Sequence, residues 1–233
     1  MHHNIKIDID INLKAKWHTG SGEGNLLVNR LVKRDTRNWP YIPGSTLKGI
    51  IRESCEKLSR TLGFSEPSDP HQTYLTVQDY FKPLKELDSP VDKIFGTRYE
   101  GCNLFFRNAR LSSKPQYGFT KSQSRICKYR NLGTARENHL FTTEYIYPMS
   151  FKTTISGSHR NLVFLYEEDP PFAYCLLIAA IMNIDRIGGD KSTGSGLVEM
   201  IIDSFEYNGS AVELNKIFDY LDSKLYKESK QIL

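Results

Sequence analysis

Cysteine is scarce and scattered: Cys55, Cys102, Cys127 and Cys175 are the only four in 233 residues, and none forms a C-x-x-C pair. That spacing excludes a disulfide framework and the ligand pattern of a structural zinc site. No apolar run is long enough to cross a bilayer, and the first residues lack the order of a secretory signal. The expectation is a cytoplasmic protein with reduced thiols and no membrane partner. A Walker loop is missing too, because the late glycine-rich stretch does not follow G-x-x-x-x-G-K-[ST] and runs from helix to strand. Net charge is only +4, so the distribution of charge, not its sum, must argue for any polyanionic partner. Carboxylates fail altogether between Gly101 and Arg136. In that interval Arg107, Arg110, Lys114, Lys121, Arg125, Lys128, Arg130 and Arg136 supply eight cations, with Tyr117, Phe119 and Tyr129 among them. Cations with interleaved aromatics on a polar hairpin or long loop suit a single-stranded nucleic acid, since the cations neutralise phosphates and the rings stack bases; a solvated basic loop is the plainer alternative.

What is present is enough apolar residue, 39%, for one sizeable core, which predicts one globular domain. From Ile5 to Trp17 apolar and polar residues alternate without a break, the pattern of a half-buried strand in a sheet with one covered face. A glycine-rich loop follows, His18-Thr-Gly-Ser-Gly-Glu-Gly24. Pro40 and Pro43 push Trp39 and Ile42 into extended backbone, Gly44 offers a positive φ, and Ser45 is a candidate N-cap. Leu47, Ile50, Ile51, Leu58 and Leu62 then recur at helical spacing, with Lys48 and Arg52 four apart on another face where a helix start favours phosphate.

Residues 63 to 90 read as an acidic, proline-bearing insertion with one short helix near Val77 to Leu87, and Ile94-Phe95 as an apolar anchor returning the chain to the core. Strands are expected over Asn103–Leu111, Glu144–Ser156 and Leu197–Phe205, with a short one over Asn161–Tyr166. Phe172 to Ile184 is apolar nearly all round and predicts a buried helix, while Val212 to Leu225 carries one apolar stripe. Between them, Gly188, Gly189, Gly194 and Gly196 allow close backbone approach to a ligand, and Lys191, Ser192 and Thr193 supply phosphate donors.

The element order predicts an α+β fold with a ferredoxin-like β-α-β-β-α-β core, the topology of RNA-recognition motifs. Four stretches, His18-Thr-Gly-Ser-Gly-Glu, Pro40-Tyr-Ile-Pro-Gly-Ser-Thr-Leu-Lys-Gly-Ile-Ile-Arg52, Ile94-Phe-Gly96 and Gly188-Gly-Asp-Lys-Ser-Thr-Gly-Ser-Gly196, resemble the RAMP superfamily, the repeat-associated proteins of CRISPR effector complexes. The stretch Arg130-Asn-Leu-Gly-Thr-Ala-Arg136 to Leu140-Phe-x-x-Glu144 resembles the thumb hairpin of the type III backbone subunit. The resemblance implies a single domain over 1–233, with an insertion at about 63–93 and a thumb at about 112–145. It also implies a guide-RNA-binding subunit that polymerises along the guide and presents target RNA, with other effector subunits and copies of itself as partners. Site residues carried over from the resemblance are His18, Lys48, Arg52, Gly189, Lys191 and Ser192 at the guide, and Arg130 and Arg136 in the thumb; Arg125 and Lys128 join them from the cationic segment.

In the family's target-cutting subunits an Asp lies six residues ahead of the Asp of an Arg-Asp pair. Counting back from Arg34-Asp35, that position holds Asn29. An amide orients a hydroxyl but does not take its proton or hold a divalent cation as a carboxylate does, which points to a non-cutting subunit needing no cofactor. Three alternatives stay open. Asp35 serves instead, in a Mg2+-dependent endoribonuclease; Asn29 replaces a natural Asp in an inactivated copy; or His18 acts as the base of a metal-free guide-processing enzyme. In all of these RNA is expected to lie across the bare face of the sheet, gripped by the two glycine segments and the cationic hairpin.

Overall fold

A computed structural model of the chain describes residues 2–64, 66–69, 89–97, 101–115, 118–160, 162, 170–219 and 221. Strand β1 (His2–Leu13) buries Ile5, Ile7, Ile9, Ile11 and Leu13 on one side and turns Lys6, Asp8, Asp10 and Asn12 to the other. Each aliphatic contributes about 1.5–3 kcal/mol on burial, so a one-residue slip that put Asp8 and Asp10 inside is excluded. Around β1 the sheet is antiparallel throughout, with β6 (Ser150–Arg160) on one flank and β7 (Val198–Tyr207) on the other. β2 (Leu104–Phe106) and β3 (Arg110–Leu111) pair with β6, and β8 (Ser210–Ala211) edges β7, giving the order β2-β6-β1-β7-β8. A second, two-stranded sheet is the hairpin of β4 (Thr120–Lys128) and β5 (Ala135–Ile146). The architecture is thus mixed α+β with antiparallel sheets.

Helices pack against this sheet. α1 (Gly44–Thr61) faces the core with Leu47, Ile51 and Cys55, and α3 (Phe172–Met182) is buried nearly all round, as its composition requires. They meet where Ser54 Oγ donates to the Ala180 carbonyl at 2.8 Å. The short α2 (Pro90–Phe95) is capped by Ser89, whose side chain accepts from Val91 N, and drives Val91, Ile94 and Phe95 into the same core. Among the described residues no helix is long and apolar enough to cross a membrane.

Several boundaries differ from expectation for physical reasons. β1 stops at Leu13; Trp17 leaves the main sheet and exchanges both backbone hydrogen bonds with Ile146 of the hairpin, at 3.0 and 2.9 Å. Pro43, not Ser45, precedes the first helical residue, and no side chain caps that end. Gly44 does not take a positive φ: it is required because a Cβ there would drive into the Phe106 carbonyl oxygen. The expected strand over Asn103–Leu111 is interrupted because Asn108 Oδ1 accepts from Gly44 N, and Ala109 pairs with Ile42 instead of β6. The expected strand from Glu144 to Ser156 is two, divided around Pro148, and its first residues belong to the hairpin. Helix near Val77–Leu87, most of the insertion, most of Asn161–Tyr166 and the end of the C-terminal helix lie outside the described residues. The start of that last helix is described, from Leu214, with Ile217 and Leu221 buried.

Replacing Gly44 by Ala forces a backbone shift at the junction of α1 and β2. The expected loss is about 1–3 kcal/mol in urea unfolding; a change below about 0.5 kcal/mol, the range of neutral surface substitutions, would refute the close-approach role.

Candidate nucleic-acid interface

The two glycine segments lie against each other. The His18 carbonyl accepts from Gly189 N at 3.0 Å, Gly196 N donates to the Lys16 carbonyl at 2.8 Å, and a Cβ on Gly188 would stand 2.5 Å from the His18 oxygen. Gly188 also holds φ at 80°, so both space and backbone select glycine there. His18 itself is buried, its ring edge-on to Tyr145. Its Nδ1 is 2.8 Å from the Glu144 carbonyl, which only accepts, so Nδ1 carries its proton. With Nδ1 so engaged, His18 links the end of β1 to the hairpin, and Nε2 keeps the ring's lone pair.

The hairpin root is latched to the second glycine loop. Arg125 reaches Asp190 at 3.0 Å and donates to the Tyr145 hydroxyl at 2.8 Å, and that hydroxyl donates to Asp190 at 2.5 Å. The Tyr145 hydrogen bond and the neighbouring Arg125 hold the Asp190 carboxyl below the usual range, while burial and the adjacent carboxylate push Tyr145 up to about 12. Asp190 takes a left-handed φ of 58° at the head of a tight turn over Lys191–Thr193. Arg125 is therefore spent on this latch instead of standing free. Lys191 is half-buried, its carbonyl accepting from Arg186, and Ser192 is exposed. Beyond the latch, Lys128, Arg130 and Arg136 stand exposed on the outer hairpin, the Arg136 guanidinium 5.9 Å from the Tyr129 ring centre. The finger projects outward.

The first glycine loop is bound along the other side of β5. Asn29 N donates to the Thr142 carbonyl at 2.9 Å and Asn29 Oδ1 accepts from Thr142 N at 2.8 Å. Glu144, buried, accepts from Val32 N and from Arg34 at 2.6 Å, and the Arg30 guanidinium stacks over Phe141. Asp35 is a turn residue. Its Oδ1 accepts from Arg37 N and Trp39 N, its Oδ2 faces the Arg37 guanidinium at 3.2 Å, and the Trp39 hydrogen bond first, then Arg37, lower its pKa. As magnesium ligands both are poor: Asn29 is an uncharged amide that already accepts from Thr142 N, and each Asp35 oxygen already accepts from two N–H groups.

Helix α1 lines a cavity with Lys191 of the second glycine loop through Ile50, Glu53, Ser54 and Lys57. Arg52 is a staple, bonded to Glu56 at 2.8 Å, donating to the Gly96 and Ser68 carbonyls and lying 3.5 Å from Asp92, so it ties α1 to both ends of the insertion. Lys48 is half-buried and has no hydrogen bond or ion pair among the described residues. The bare face of the sheet is also not what was expected. It carries Asp8, Asp10, Glu199, Asp203 and Glu206, partly answered by Lys6, Lys14 and Lys152. Charges of both signs alternate there, so the face offers a polyanion no cationic platform. Exposed cations stand on the hairpin and the neighbouring first glycine loop. Sequence reasoning missed Arg30, Glu144, Tyr145 and Asp190; Glu144 and Asp190 lay inside stretches already singled out, while Arg30 and Tyr145 carried no signal of their own.

Because Asp190 is depressed in the folded state, its contribution is complete above about pH 4, the ordinary value, and is lost as pH falls through the lower folded one. The stability gap between the wild type and Asp190→Asn is expected to narrow on acidification from about pH 5 through the carboxylate range; a gap that stays constant in urea melts across that range removes the latch.

The family model of the RAMP superfamily matches residues 10–199. The chain is 26% identical over 217 residues to the CRISPR system Cms endoribonuclease Csm3 of Streptococcus thermophilus, covering 83% of this chain and 86% of that protein. In fold it is similar, with a TM-score of 0.58 and 14% identity, to a chain in the cryo-EM structure of the Type III-B Cmr-beta bound to cognate target RNA, over 84% of this chain and 96% of that one. With the motif stretches, the antiparallel sheet and a family match over most of its length, this chain belongs to the RAMP superfamily.

Proposed function

We propose that the chain is a guide-RNA-binding backbone subunit of a type III CRISPR ribonucleoprotein in antiviral defence. It polymerises along the guide, presents target RNA to other subunits, and does not cut. The observation that carries this reading is the meeting of both glycine segments at His18, beside an outward hairpin whose distal cations Lys128, Arg130 and Arg136 are unspent. Nucleic acid is held through phosphates, and base pairing supplies the sequence. The core is read as ferredoxin-like, supported by the order β2-β6-β1-β7 with every pair antiparallel and helices α1 and α3 in the connections. One domain over 1–233 carries the insertion at about 63–93 and the thumb at about 112–145.

A second reading, a metal-dependent endoribonuclease cutting target RNA at regular intervals, is favoured by the name of the Streptococcus relative. Against it stand the amide at Asn29 and the fully committed Asp35.

Lys128→Glu, Arg130→Glu and Arg136→Glu combined should weaken binding of single-stranded RNA and lower the slope of log K against log salt by about two, from about 0.7 per phosphate contact; an unchanged slope removes the hairpin from the interface. In the assembled complex with magnesium and target RNA, the wild type is expected to give no ladder and Asn29→Asp to give one. Wild-type products that vanish with Asp35→Ala would establish the endoribonuclease instead.

A further inference from the structure

The turn from β5 to β6 and the segment that leads from β3 into β4 build two cavities that share one side chain. The larger, of about 420 Å³, is lined by Tyr147, Pro148 and Met149 with Leu111, Pro115 and Phe119. The smaller, of about 230 Å³, is lined by Tyr147 and Ile146 with Lys121 and Gln123. Tyr147 belongs to both and is 47% exposed, so it forms the ridge between them.

That ridge is fixed from behind. Tyr147 N donates to the Phe119 carbonyl and Leu13 N to the Met149 carbonyl, each at 3.1 Å, and Thr120 pairs with Ile146. The Arg34 guanidinium lies 5.1 Å from the Phe119 ring centre and braces it. A groove whose backbone is already set spends little on ordering itself when it binds.

Charge and shape together name the occupant. Among the described residues lining the two cavities there is no carboxylate. Lys114 at the larger and Lys121 at the smaller are exposed, and neither side chain has a hydrogen bond or ion pair among the described residues. Lys16 is already engaged, by Gln123 and the Tyr145 ring. An unanswered ammonium at each cavity favours an acidic partner. The floor of the larger cavity is made of Leu111, Met149 and two prolines, which give stacked bases no flat platform but accept the small apolar rings of proline. A polyproline helix turns every three residues and rises about 3.1 Å per residue, so two prolines three apart lie on one face about 9 Å from each other and straddle a single aromatic ring.

We infer that the two cavities flanking Tyr147 form a docking groove for an acidic, proline-containing extended segment of a partner protein. One proline enters each cavity, the tyrosine ring packs between them, and carboxylates beside the prolines meet Lys114 and Lys121. The groove does not rest on the RNA-binding reading, whose cations stand further out on the hairpin.

The test uses the full chain and an array of fluorescein-labelled peptides of the form Glu-Pro-x-x-Pro-Glu, with x varied over the amino acids, read by anisotropy. Members of the array should bind, and replacing both prolines by alanine or both glutamates by lysine should weaken the best of them about tenfold. Tyr147→Ser, on the surface, should cost a similar factor with urea unfolding unchanged, while Lys114→Ala combined with Lys121→Ala should weaken binding and remove most of its salt dependence. An array that binds nowhere at about millimolar concentration overturns the groove. Peptides that bind Tyr147→Ser as well as the wild type, or bind equally without their prolines, overturn it too. A blank array with single-stranded RNA binding weakened by Tyr147→Ser overturns it and assigns the cavities to nucleic acid.

Discussion

The segment from Lys16 to Thr19 is the crossing on which the functional side of this molecule depends. Four residues leave the central strand and are gripped from both sides, by Gly189 and Gly196 of one loop and by Ile146 and the Glu144 carbonyl of the hairpin root. Backbone donors and acceptors taken out of water must find partners, and here each partner comes from a different part of the chain. The result is that two glycine-rich loops and a projecting hairpin, far apart in sequence, share one rigid junction. Glycine at 188 is what lets the two backbones come this close, and the buried His18 ring fills the angle between them.

Charge in this chain divides into cations that hold the fold and cations left over. Arg52 staples the ends of the insertion, Arg34 satisfies the buried Glu144, and Arg125 neutralises Asp190. Each of these is enclosed by carboxylates or carbonyls, and moving a phosphate onto it would strand an acid in a poorly hydrated place. Lys128, Arg130 and Arg136 face water on the hairpin, and Arg30 does so beside its root. Capacity for a polyanion follows from this second set, while Arg52 and His18 Nδ1 are engaged in hydrogen bonds within the fold.

The open face of the sheet shows the same discrimination at larger scale. A depression of about 520 Å³ there is lined by Asp8, Asp10 and Asp203 with Arg107, Arg110 and Lys152. Alternating signs at short range cancel for a ligand of one sign, so this face does not attract RNA as a cationic platform does. The exposed Ile201 of β7 and Leu197 just before that strand add apolar surface on the same side.

Much of this was legible in the residues. The period of two in β1 fixed its buried face, the apolar run of α3 required full burial, and the absence of carboxylates from Gly101 to Arg136 marked the hairpin, because each of these depends on neighbours along the chain and on hydrophobicity alone. Motif likeness led to the family. What the tertiary structure alone decided was which charges are free. What Arg125 holds, what Asp35 holds and how the charges on the bare face are matched all turn on partners 65 or more residues away or on loop geometry that no periodicity encodes. Electrostatic roles are properties of pairs, and pairing across a fold is set only when the chain has closed on itself.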